Sequence, residues 1–139
     1  MADPLSIVAT VAGLLGTATN IYSVLSDFIS SAVDAPNSAR FMLAAVEEMK
    51  SALESVKQLI DTASSLPSKR KAMIQLDHLT ITFSHCILTL SELESLVCFK
   101  DGFMHRLKWA WEEKKVLRLL SYLESQKASL LLMVTVLQR

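Results

Sequence analysis

From Pro4 to Ser26 the chain carries no charged side chain, a run of 23 residues. At about 1.5 Å of rise per residue this run makes a helix roughly 34 Å long, close to the thickness of a bilayer's hydrocarbon core. It is not uniformly apolar, because Ser6, Thr10, Gly13, Gly16, Thr17, Thr19, Asn20 and Ser23 interrupt it. The run is too polar for a committed membrane span and too apolar for an ordinary surface helix. A helix apolar over most of its circumference sits inside a bundle or meets lipid. Its apolar residues fall on two stripes at 3–4 spacing. One is Leu5, Val8, Ala12, Leu15, Thr19 and Tyr22; the other is Val11, Leu14, Ala18, Ile21, Leu25 and Phe28. Asp3 as N-cap and Pro4 at the first helical position start the helix. A secretory signal would open with a basic segment, and Asp3 stands there instead. Ala2 after Met1 excludes the glycine needed for myristoylation.

The rest of the chain has the same helical character. With only three Gly and three Pro in 139 residues, it lacks the turn formers of an all-β fold. Half of it is apolar (51%) and 20% is charged, enough for one domain with a real core. The second pattern, 37–64, places Met42, Val46, Met49, Leu53, Val56, Ile60 and Ala63 on one face. Glu47, Glu48, Lys50, Glu54 and Lys57 lie opposite, with Glu47–Lys50 and Glu54–Lys57 spaced for i,i+3 pairs. The third, 68–98, carries Leu76, Leu79, Phe83, Cys86, Leu90, Leu93 and Val97. The fourth, 103–138, has a possible break near 110–113, so that 103–111 forms a short extra helix. It repeats Val116, Leu120, Leu123, Lys127, Leu130, Val134 and Leu137. These patterns predict an all-α, antiparallel helical bundle of four long helices in a single domain, 1–139. Breaks of about five residues predict that sequential helices are neighbours. The last helix reaches Arg139 in full hydrophobic stride, from which we expect the native protein to continue.

Catalytic and metal chemistry find little support in these residues. His78 and His85 are seven apart, about 10 Å along a helix, and metal-binding helices use i,i+4 pairs. Ser84, His85 and Cys86 are consecutive and point in different directions. His105 lies four residues after Asp101, where a local ion pair accounts for it. Glu47–Glu48 and Glu112–Glu113 read as solvated charges. Three glycines leave no phosphate cradle. We expect no enzyme, no cofactor and no metal site. Cys86 and Cys98, 12 apart on one helix, would stand about 18 Å from each other, too far for a disulfide. Two free thiols point to a reducing compartment. The formal net charge is zero, which argues against nucleic acid as a partner.

Two basic clusters and one pair of glycines admit more than one reading. Lys69, Arg70 and Lys71 begin the third helix against its dipole; they are either solvated or face an anionic partner such as lipid phosphate. Arg106, Lys108, Trp109, Trp111, Lys114 and Lys115 interleave cations with tryptophan. That suits a membrane interface, and the tryptophans equally suit a helix–helix corner. Ala12, Gly13 and Gly16 either pack helices closely, are simply tolerated, or let membrane helices approach one another.

The opening Met1-Ala-Asp-Pro-Leu-Ser-Ile-Val-Ala-Thr-Val-Ala-Gly-Leu-Leu15 resembles the HeLo-like N-terminal domain of fungal NLR-like (STAND) proteins. The segment Arg106-Leu-Lys-Trp-Ala-Trp111, with Leu119, Leu120, Leu123, Lys127 and Leu130, is similar to that family's closing region. The resemblance implies an all-α bundle fused to a nucleotide-binding oligomerisation module, which this chain lacks. It also implies a role in programmed cell death and innate immunity or incompatibility. The domain would be cytoplasmic at rest and at the plasma membrane on activation, with self-association and anionic lipids as its partnerships. On that analogy the membrane-inserting residues are Leu5, Ile7, Val8, Val11, Leu14, Leu15, Ile21 and Tyr22, and insertion would lead to pore formation. The alternative is a non-lytic helical interaction or oligomerisation module.

Overall fold

A computed structural model describes the backbone of 4–31, 37–63, 69–97 and 113–137, and the side chains of 8–30, 37–61, 80–96 and 113–135. Each backbone segment is one helix: α1 (Pro4–Ser31), α2 (Asn37–Ala63), α3 (Lys69–Val97) and α4 (Glu113–Leu137). The described residues contain no strand, and the four helices pack as a bundle. Helix α1 begins at Pro4, where the missing N–H costs no intrahelical bond. The expected extra helix at 103–111 lies outside the described residues.

Each helix contributes one apolar stripe to a single core. Val11, Leu14, Ala18, Ile21, Leu25 and Phe28 come from α1; Met42, Val46, Met49, Leu53, Val56 and Ile60 come from α2. Helix α3 adds Phe83, Cys86, Leu90, Leu93 and Leu96, and α4 adds Val116, Leu119, Leu123, Leu130 and Val134. Ala39, Ala45 and Ala52 of α2 are buried in the same core. Full burial of one such Leu, Ile or Phe stabilises by about 1.5–3 kcal/mol.

The order of helices around the core differs from the expectation. Helix α1 packs on α2 and α3, and α4 packs on α2 and α3. Helices α2 and α3, consecutive in the chain, therefore stand on a diagonal. Five residues separate them, and an extended five-residue chain reaches about 17 Å. The diagonal of a square of helices about 10 Å apart is only about 14 Å. A short connection thus reverses the chain without forcing adjacency. Both five-residue links are far shorter than the helices they join, so α1 and α3 run the same way, opposite to α2.

Candidate functional site

Helix α1 occupies a corner of the bundle and is divided lengthwise. The stripe Val11–Phe28 is buried. The stripe containing Val8, Leu15 and Tyr22 is half-buried, and Ala12 and Thr19 within it are exposed. Ala9, Gly13, Gly16, Asn20 and Ser23 complete an open face that carries no charge before Asp27. The stretch Val8–Ser30 is long and apolar enough to cross a membrane, a test that core helices also pass; 28% of an 18-residue apolar segment within it is buried. Periodicity alone places such a helix centrally, but two apolar stripes with small residues between them suit a corner equally well.

The glycines lie on this open face. A Cβ added at Gly13 or Gly16 would meet nothing within 4 Å, and neither residue has positive φ. Close packing inside the bundle is therefore not the reason for glycine at either position. Both simply leave α1 smooth on its outer side.

Polar side chains flank α1 along both of its seams. On the α2 side, the Lys50 ammonium lies 5.2 Å from the centroid of the Tyr22 ring, a cation–π arrangement. On the α3 side, the Asn20 amide donates to the Glu94 carboxylate at 3.4 Å. Both contacts are exposed or half-exposed, so each contributes little to stability. The expected pairing of Glu47 with Lys50, and of Glu54 with Lys57, does not form; the ion pairs among the described residues belong to Lys127. Lys50 leans across α2 toward the aromatic ring instead of along its own helix.

The spacing of α4 puts Lys127 in its apolar stripe. The side chain sits at the edge of that stripe, 22% exposed, and bonds to Glu48 of α2 and to Glu124 at 2.9 Å. Its position is explained by its long stem, which lies along apolar surface while the ammonium reaches the carboxylates. These hydrogen bonds, to Glu48 first and Glu124 second, raise its pKa. The neighbouring Leu119 takes the buried place and Leu120 is only half-buried.

Of the other candidate residues, Val11, Leu14 and Ile21 are buried, and the side chains of Leu5 and Ile7 lie outside the described residues. Lys69, Arg70 and Lys71 form the first turn of α3, as expected, with side chains outside the described set. Lys114 is exposed and Lys115 half-buried in the first turn of α4, while Arg106, Lys108, Trp109 and Trp111 lie outside the described residues. No His, Cys, Asp and Glu side chains cluster in a metal-holding group among the described residues. Ser84 donates to the Thr80 carbonyl at 3.0 Å, His85 is exposed and Cys86 is buried, so this triplet shares no site. Burial pushes the Cys86 thiol up to about 12, which keeps it protonated and unreactive. No protein-family model matches the chain, and no curated protein or solved structure is significantly similar to it.

Proposed function

We propose that this domain is a membrane-targeting cell-death effector module of the fungal NLR-like type, with α1 as the membrane-inserting segment. The observation that carries this reading is the open, uncharged outer face of α1, on a stretch long enough to span a bilayer. In water that face is tolerated because its residues are small. In lipid it removes the largest obstacle to insertion, since each charge at a helix centre costs about 3 kcal/mol. Helix α1 is held chiefly by its two seams with α2 and α3. Its departure would expose the core stripe Val11–Phe28, which would then face acyl chains or neighbouring copies. Ala12, Gly13 and Gly16 would let inserted helices approach closely. Lys69, Arg70, Lys71, Arg106, Lys108, Lys114 and Lys115 would hold the bundle to anionic lipid, at about 1 kcal/mol per cation near the surface.

The test is dye release from vesicles of phosphatidylcholine with and without phosphatidylserine. Release that depends on the anionic lipid is expected; release from neither composition would overturn the reading. The triple substitution Lys69→Glu, Arg70→Glu, Lys71→Glu should weaken co-sedimentation with anionic vesicles, and unchanged binding would exclude that cluster from lipid contact. Deleting α1 is not a usable control, because it removes six residues of the core.

A non-lytic interaction module is the second reading. It is favoured by the same six buried residues, which make α1 a structural member of the bundle.

A further inference from the structure

Helix α3 carries an apolar ridge on its outer side. Ile81 is 58% exposed and Leu88 is 64% exposed. They stand seven residues apart, two turns along one face. Leu88 also borders a groove of about 300 Å³ between α3 and α4, with the exposed Tyr122 ring on its α4 side. Single exposed leucines are ordinary, but here a ridge stands beside a groove that a like ridge can enter. The charges of this face are placed symmetrically about Leu88. His85 lies three residues before it and Glu92 four after it; both are exposed and both line the groove. They are about 10 Å apart along one helix, too far to pair with each other. Glu94 is turned away, toward α1, where it accepts from the Asn20 amide. Serines complete the face. Ser84 donates to the Thr80 carbonyl at 3.0 Å and Ser95 to the Ser91 carbonyl at 3.1 Å. Their hydroxyl protons are already used within the helix, so covering the face leaves neither donor orphaned.

We infer that this face binds a second copy of the chain, as a two-fold dimer through antiparallel α3 helices. The midpoint of His85 and Glu92 falls between Leu88 and Thr89. A two-fold axis there sets His85 of each copy opposite Glu92 of the other, so one favourable pairing is made twice. The imidazole N–H donates to the carboxylate across the axis. The same axis brings the two Leu88 side chains together, each against the groove of the other copy. A parallel pairing would set Glu92 against Glu92, so the charges select the antiparallel one. The stripe from Ile81 to Ser95 is about 21 Å long and one helix wide. It is small against a standard interface of about 1,600 Å², which places the Kd on the order of 100 µM. The inference is independent of the membrane reading, since it uses no residue of α1 and is tested without lipid.

The test is sedimentation equilibrium of the full chain in lipid-free buffer at neutral pH, over loading concentrations that bracket this Kd. The wild type should pass from monomer to dimer as concentration rises, and Leu88→Asp should stay monomeric. His85→Glu sets like charges opposite each other at both ends of the pairing, and Glu92→Lys removes both acceptors. Each should weaken dimerisation about tenfold. The double variant His85→Glu, Glu92→Lys restores opposite charges across the axis with their polarity reversed, and should dimerise nearly as well as wild type. All three positions are exposed, and thermal unfolding checks that every variant keeps the bundle. A wild type that is monomeric throughout, a dimer undisturbed by Leu88→Asp, or a double variant no tighter than the two single ones would each overturn the inference.

Discussion

Two residues, one in the core and one at its edge, carry sharp expectations. Cys86 is fully buried, and its thiol is pushed up to about 12 by that burial. In a Cys98→Ser background, a thiol reagent at neutral pH should label Cys86 only as fast as the bundle opens. Rapid labelling of the folded protein would contradict its placement. Lys127 ties α2 to α4 through Glu48 and is held by Glu124 on its own helix. Lys127→Met should cost about 1 kcal/mol in denaturant unfolding, and less at high salt. Its pKa in the folded chain lies above the ordinary 10.5. The stabilisation is therefore complete below pH 10.5 and is lost as pH rises through the folded value. A wild-type chain and a Lys127→Met chain should converge in stability in that alkaline range; a constant difference would refute the linkage. The burial of Cys86 is legible in the stripe it shares with Phe83 and Leu90, but the role of Lys127 is not. Spacing places position 127 on the apolar face and is blind to a stem long enough to leave it.

At the level of the helix, the legible part is the set of core stripes. The stripe Val11 to Phe28 on α1 and the stripe Met42 to Ile60 on α2 are buried as their 3–4 spacing requires. What spacing does not settle is which of two adjacent stripes faces the core. On α1 both are apolar, and only the partners decide. On α4 the same ambiguity puts Leu120 in the stripe where Leu119 is buried. The bond from the Gln126 amide of α4 to the Thr89 hydroxyl of α3 escapes a reading of the sequence, because a glutamine at the edge of a stripe carries no periodic signal. The open face of α1 leads to a direct expectation. With ordinary helical φ and empty space at Gly13 and Gly16, Gly13→Ala and Gly16→Ala should each stabilise the bundle by about 0.5–1 kcal/mol. Chemical denaturation measures this; a loss of stability would mean that something packs on that face in the folded protein.

For the whole molecule, a four-helix core follows from four amphipathic patterns, but their order around it does not. The ring α1–α2–α4–α3 sets a consecutive pair on a diagonal, which short links permit and no local pattern encodes. That order leaves α1 at a corner with an uncharged outer face, and the central claim is that this face allows α1 to enter a bilayer. Gly16 lies near the middle of the Val8–Ser30 stretch, exposed and with open space around it. A charge there leaves the folded bundle intact and makes insertion unfavourable by about 3 kcal/mol, more than roughly a hundredfold in equilibrium. The decisive measurement is dye release from anionic vesicles by wild type, Gly16→Ala and Gly16→Glu, with thermal unfolding recorded for each. Wild type and Gly16→Ala should release the dye, and a Gly16→Glu protein that unfolds near the wild-type temperature should not. Equal release by Gly16→Glu, or none by wild type, would contradict insertion of α1.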